Sequence, residues 1–349
     1  MENGKVLKYI VIVIILIGLA VGGAYAYKMY FEQKEEAKVE EPTKPVETKT
    51  VQIFKGNDRP IAVMIDNHKG ALPHSGLSGA YMVYEIIVEG GESRLMALFK
   101  GADLEKIGPV RSSRHYFLDY ALENDAIYVH YGWSPQAESD IKSLGVNNIN
   151  GLVDDSVFWR VKDKSAPHNA VTSTAKILED AKSKGYKTTS DVSSILKYSV
   201  DEIELADGEN VKKADTITIP YFGSQNTVKW EYDSETKKYT RYTKGIKETE
   251  ESTGEAVTAK NIIIEFARNT TISGDSSGRQ DVNTLGNHEG YYITNGKAEK
   301  ITCSKTTRKS KTEYKDLDGN VINVNDGLTF VQITPEDAKV EIEANEASE

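Results

Sequence analysis

Apolar and polar positions divide the chain into distinct textures. From Tyr9 to Tyr27 the residues are almost uninterruptedly apolar. Such a run spans a bilayer, which takes about 20 residues, and predicts a membrane helix over 9–27 behind a short tail, 1–8. Residues 28–55 are charged, carry Pro42 and Pro45 and have few large apolar side chains, so they read as a stalk. Between 56 and 200, short continuous apolar runs alternate with segments of helical period. From 215 to 335 strict alternation prevails and tyrosine is frequent, the pattern of half-buried strands. Residues 336–349 form an acidic tail expected to be disordered.

In the first of these regions, Pro60–Ile65, Tyr81–Val88, Arg94–Phe99 and Ala126–His130 read as strands buried on both faces. Glu89-Gly90-Gly91-Glu92 is a hairpin connection between the second and third. A helix is predicted after Gly108, with Ser112 or Ser113 as its N-cap and its end near Glu123. Ser134-Pro135 opens another that stops at Gly145, and Ser173 or Thr174 opens a third that closes near Gly185. Strands alternating with helices imply an α/β or α+β layered domain. In the second region a hairpin joins Thr227–Tyr232 to Lys238–Tyr242, Lys247–Glu255 reads as an acidic loop, and Leu328–Ile333 is the last strand. Trp230 and Tyr232 are of a type that stacks on sugars, but core packing is their more usual role. The fold class expected is an α/β (or α+β) N-terminal domain followed by a β-rich C-terminal domain.

The full length is 349 residues with a formal net charge of −10, which argues against a nucleic-acid partner and requires any anion site to be local. One cysteine, Cys303, excludes an intramolecular disulfide framework and a cysteine-rich zinc site. Lys5 and Lys8 place the N-terminus in the cytoplasm and the globular part outside the cell membrane, crossed once. Cleavage after Ala24-Tyr25-Ala26 is the competing reading of the apolar run.

Candidate chemistry gathers in the first region. Arg111, Arg114 and His115 lie at the predicted start of a helix, where acidic residues are usual, and basic groups there suit a bound anion. Arg94, Ser112 and Arg160 are further candidate substrate-binding residues. Asp66 follows one buried strand and His130 ends another, at carboxyl ends where open α/β sheets place ligands. His168 and Asn169 lie in a loop, and five of the six histidines fall between His68 and His168. Three chemistries compete for this set. Asp66, Glu89, His130 and His168 are zinc-type ligands without close spacing. Asp66, Glu85 and Glu89 are candidate glycosidase carboxylates, with pairing to Arg94, Arg111 or Arg160 as the structural alternative. The third is anion binding by Arg94, Arg111, Arg114 and Arg160, with Asp66 or Glu89 of a type that holds Mg²⁺ beside a pyrophosphate. Asp66, Glu89 and His168 are the candidate catalytic groups in any of these.

Arg59-Pro60-Ile61-Ala62-Val63-Met64-Ile65-Asp66-Asn67, Val83-Tyr84-Glu85, Ile107 to Arg114, and Ala166-Pro167-His168-Asn169 resemble the YerB-like family of bacterial envelope proteins. The resemblance implies two domains of unknown function and an envelope address. Family members are often lipoproteins, whereas no cysteine lies near this N-terminus, so the apolar run is expected to serve as the anchor. A looser analogy, to the LytR-CpsA-Psr enzymes, implies Arg94 and Arg111 as pyrophosphate ligands. The function expected is a membrane-anchored envelope protein that binds a cell-wall glycan or a lipid-linked precursor, with hydrolase or phosphotransfer activity left open. The alternative is a non-catalytic scaffold of the wall-synthesis machinery.

Overall fold

The structure, a computed structural model, describes residues 3–36, 50–54 and 56–345. Residues 37–49 and 55 of the expected stalk, and 346–349 of the acidic tail, lie outside the described residues. Two compact units are present, Met1–Lys49 and Thr50–Glu349.

The first unit contains helix α1, Asn3–Glu36. Its stretch Gly4–Lys34 is long and apolar enough to cross a membrane and reaches a mean hydropathy of 2.6. The helix runs on past Tyr27 because Lys, Glu and Gln favour helix. Lys28 also pairs with Glu32 one turn later, at 3.6 Å.

In the second unit the buried apolar runs become strands β1 (Ile61–Asp66), β2 (Met82–Ile87), β3 (Ser93–Phe99), β4 (Ile127–His130) and β5 (Asn148–Asn150). Helix α2 is Phe117–Glu123, α3 is Pro135–Leu144 and α4 is Thr174–Ser183. The caps read from sequence hold for the last two. Ser134 accepts a bond from the Ala137 N–H, Gly145 closes α3 at φ 68°, and Ser173 accepts from Lys176.

The strand-rich remainder supplies β6 (Thr216–Ser224), β7 (Asn226–Asp233), β8 (Lys238–Thr243), β9 (Asn261–Ala267), β10 (Gly286–Thr294), β11 (Lys297–Lys305), β12 (Glu313–Asp316), β13 (Thr329–Pro335) and β14 (Glu341–Glu343). An eleven-stranded sheet takes the order β12-β11-β10-β9-β13-β2-β3-β1-β4-β5, with Val211–Lys213 beside β11. Its two sequence halves meet where β2 pairs in parallel with β13, Met82 opposite Thr329 and Ile86 opposite Ile333. Strands β1, β2, β4, β5, β9 and β13 run the same way, so Asp66, Ile87 and His130 end at one edge. A six-stranded sheet built on β6, β7 and β8 packs the rest, and Trp230 is fully buried in it.

Two expectations change. The acidic tail is not wholly disordered: Glu341–Glu343 pairs antiparallel with Thr216–Thr218, placing Ile342 opposite Ile217. Nor is 247–255 merely a solvated loop. Glu248 is 1 % exposed. Glu250 accepts from the Gly76 and Ser78 N–H groups at 2.8 and 3.2 Å, and Glu251 bonds Lys164 at 3.0 Å. These acids dock the segment onto the loop after β1.

The most demanding element of the core is ionic. Arg241 has no exposure, and its guanidinium contacts Glu85 at 2.9 Å and Glu248 at 3.1 Å. It also lies over the rings of Trp230 and Phe330, at 5.3 and 5.2 Å. Burial would raise the Glu248 carboxyl, but the Arg241 charge wins and holds it at about 2. Replacing Arg241 with Met strands two buried carboxylates and is expected to cost about 3–5 kcal/mol. Urea unfolding followed by tryptophan fluorescence checks this, and an unchanged midpoint would refute it.

Candidate functional site

The chain between β3 and α2 is laid against the end of β1 by its backbone. Asp66 N–H donates to Pro109 O and Arg111 N–H to Met64 O, each at 2.9 Å. This sets the Arg111 side chain beside Asp66, Nε to Oδ2 at 3.1 Å. The same Oδ2 takes His168 Nδ1 at 2.6 Å. Across the β1–β3 ladder, Asp66 stands opposite Arg94.

The helix does not start at Ser112 or Ser113. It begins at Phe117, and Tyr116 at its N-cap makes no side-chain cap. Ser112 instead donates from Oγ to Tyr131 O at 2.9 Å, and the Ser113 hydroxyl receives the Tyr128 O–H at 2.8 Å. With seven residues in α2, its dipole has no part in holding an anion. The basic residues answer to side chains instead.

They do so unequally. Arg114 makes a forked pair with Glu89, Nε to Oε2 at 2.8 Å with Nη2 on Oε1, and spends Nη1 on Ser113 O at 2.7 Å. Burial alone would raise the Glu89 carboxyl, but the bonds and charge of Arg114, with the charge of Arg94, hold it at about 2. Arg111 commits Nε to Asp66 and leaves both Nη groups without a protein partner among the described residues. Arg94 is 5 % exposed, yet its one bond runs from Nη1 to Ser112 O at 2.6 Å. Among the described residues no carboxylate comes within 4.0 Å of it. Burial, then the Arg114 charge, lowers its pKa to about 10, so it remains a cation at neutral pH.

A cavity of about 270 Å³ opens here, lined by Arg111, Ser112, Tyr131, Trp133, Leu152 and Arg160 among others. Arg160 lies over the Tyr131 ring at 5.1 Å and bonds Asn169 Oδ1 at 2.7 Å. A larger cavity, about 810 Å³ between the ends of β6 and β13, contains none of the residues expected from sequence.

Asp66 thus contacts Arg111 and His168, Arg94 bonds Ser112 O, and Arg114 with Glu89 forms a separate pair that feels the Arg94 charge, while Arg160 lines the cavity with Arg111 and bonds Asn169. His115 is not with them. Its Nε2 bonds Asp281 at 2.9 Å in a separate cleft with Asp119, Asp140 and Arg308. His130 is fully buried, held by Gly132 O at 2.7 Å and Asn148 Oδ1 at 3.2 Å, and burial lowers its pKa. Glu85 belongs to the Arg241 core. Among the described residues no group of three or more His, Cys, Asp or Glu side chains is placed to hold a metal ion. Asp66 and Glu89 are each engaged by a guanidinium, so the site offers a ligand positive charge.

Two participants were not among the candidates. The His68 ring stacks on that of His168, centroids 4.2 Å apart and 11° from parallel. Its place after β1, two residues from Asp66, was the sequence signal, together with the other histidines of this region. Lys244, from the turn after β8, bonds Asn67 O at 3.0 Å and pairs with Glu92, a placement no local pattern announces.

Comparison with known proteins bears on most of the chain. Residues 48–187 match the family described as "Protein of unknown function (DUF3048) N-terminal domain", and 217–331 match its C-terminal domain. The Bacillus subtilis (strain 168) protein named "Putative lipoprotein YerB" is 34% identical over 278 residues, 78% of each chain. The crystal structure of YerB protein from Bacillus subtilis superposes with a TM-score of 0.72 at 32% identity, covering 82% of this chain and 94% of that one. Here the single cysteine, Cys303, is buried in the sheet.

The Glu89 carboxyl falls from an ordinary 4.5 to about 2 on folding. A depressed carboxyl stabilises the fold above its ordinary value and loses that contribution as pH drops through its folded value. Glu89→Gln is therefore expected to lower stability at neutral pH and to flatten the acid-side decline between about 4.5 and 2. Unfolding in urea at stepped pH reads the slope, and parallel curves for the two proteins would refute the pairing.

Proposed function

Because this chain belongs to the DUF3048 family of YerB-like proteins, we propose that it is an envelope protein anchored by its apolar helix, whose globular unit binds an anionic, phosphate-bearing wall component or lipid-linked precursor. Lys5 and Lys8 ahead of the apolar run favour a cytoplasmic N-terminus and an external globular unit.

The observation that carries the reading is Arg94. A buried guanidinium without a counter-ion is costly and persists where something else compensates it. Arg111 beside it keeps both Nη groups uncommitted, and a planar fork is suited to phosphate or carboxylate. The cavity, about 270 Å³, is small for a typical ligand site and suits a phosphate with an adjoining group better than a long glycan. Tyr131 and Trp133 in its wall offer that group an aromatic face. Arg111, Ser112 and Arg160 share the lining of that cavity, which favours a binding site over a scaffold surface.

Calorimetric titration of the detergent-solubilised full chain with inorganic pyrophosphate tests this. Arg94→Gln and Arg111→Gln are each expected to weaken binding by about 10- to 100-fold, the worth of a hydrogen bond to a charged group. Arg94→Gln is also expected to cost no more than about 1 kcal/mol of stability, since it gives up one bond and no ion pair. Equal affinity in the wild type and both variants would overturn the reading in favour of a scaffold.

A further inference from the structure

Beside the arginines, two imidazoles are held in complementary states. Asp66 Oδ2 engages His168 Nδ1 at 2.6 Å, and an ionised carboxylate there accepts the Nδ1–H. In the neutral ring this bond places the proton on Nδ1 and the lone pair on Nε2, which has no partner among the described residues. His68 is held the other way. Its Nδ1 accepts the Gly70 N–H at 3.0 Å, so its own proton sits on Nε2, also without a partner. The rings stack face to face at 4.2 Å. A Cβ at Gly70 would come within 3.2 Å of His68 Nδ1 and 3.3 Å of His168 Cδ2, so a side chain there would crowd both rings. Asp66 Oδ2 is also the atom that takes Arg111 Nε at 3.1 Å. One carboxylate oxygen therefore ties the free imidazole edge to the free guanidinium fork.

We propose that this cleft hydrolyses phosphodiesters, with His168 as general base and His68 as hydrogen-bond donor to the phosphoryl group. The inference rests on the anion-binding reading above. Arg94 and Arg111 hold the non-bridging oxygens. A water on the His168 side attacks phosphorus, and as the new P–O bond forms its proton passes to His168 Nε2. The bond from phosphorus to the leaving oxygen breaks, its electron pair stays on that oxygen, which takes a proton from solvent, and His168 Nε2 gives its own proton back to solvent. His68 Nε2–H stabilises charge on the phosphoryl oxygen. The products are a phosphomonoester and an alcohol, and no oxidant, reductant or further reactant is consumed. The substrate class is a phosphodiester.

The test uses the full chain in detergent with bis(p-nitrophenyl) phosphate as substrate and inorganic phosphate as the binding probe. Wild type is expected to release p-nitrophenolate. His168→Gln is expected to lower the rate by about 10²- to 10⁴-fold, with phosphate affinity kept within about two-fold. His68→Gln is expected to lower the rate by a smaller factor, since it removes a hydrogen bond and not the base. A wild type that binds phosphate but hydrolyses no faster than His168→Gln overturns the proposal and leaves the anion site standing. A wild type that does not bind phosphate overturns both.

Discussion

The structure depends most on a charge that has no access to water. Arg241, from a strand of the C-terminal half, sits between Glu85 on a central strand of the N-terminal half and Glu248 on the segment that straps the two together. Glu85 is also fixed by Asn67 and Ser93, at 3.1 and 2.7 Å, and His74 reaches from Glu248 back to Asp66 O at 2.7 Å. The guanidinium therefore stands directly behind the residues that end β1 and begin β3. Two carboxylates buried without it would each carry several kcal/mol of uncompensated desolvation. The shared sheet provides area, and this cluster fixes the register in which the halves meet.

Against that rigid backing the candidate site is electrostatically incomplete. Arg114 and Glu89 satisfy one another, and Asp66 is shared between Arg111 and His168. Among the described residues Arg94 bonds only a backbone oxygen and has no carboxylate within 4.0 Å. Arg241 by contrast contacts two carboxylates. Both arginines are buried and both belong to sheet strands. What differs is whether the fold sets a carboxylate against the guanidinium.

Much of this was legible locally. Continuous apolar runs marked β1 to β4, alternation marked the β6 to β8 meander, and Ser134-Pro135 with Gly145 marked α3, because each signal comes from residues within one or two turns. Asp66 and Arg94 were also visible as polar groups at the ends of apolar runs, Arg111 as part of a basic stretch before a helix, and His168 as a loop histidine. The start of α2 was misplaced because Ser112 and Ser113 have the chemistry of caps, and nothing nearby discloses that Tyr131 and Tyr128 claim their hydroxyls. Glu248 and Glu250 read as solvated for the same reason: their partners lie more than 160 residues away or on another strand.

By itself the sequence determined which segments are buried, which one is able to cross a membrane, and where helices stop, since hydrophobic period, capping and turn chemistry are short-range. Tertiary structure alone decided which charges cancel. Parallel pairing of β2 with β13, the Arg241 cluster and the sharing of Asp66 between a guanidinium and an imidazole are all long-range, and a charge becomes structural or available only once its neighbours are in place. The stretch from Ile107 to His115 shows both. Its basic character could be read directly, but only folding paired Arg114 with Glu89, sent His115 to Asp281 and left Arg94 with no carboxylate within 4.0 Å among the described residues.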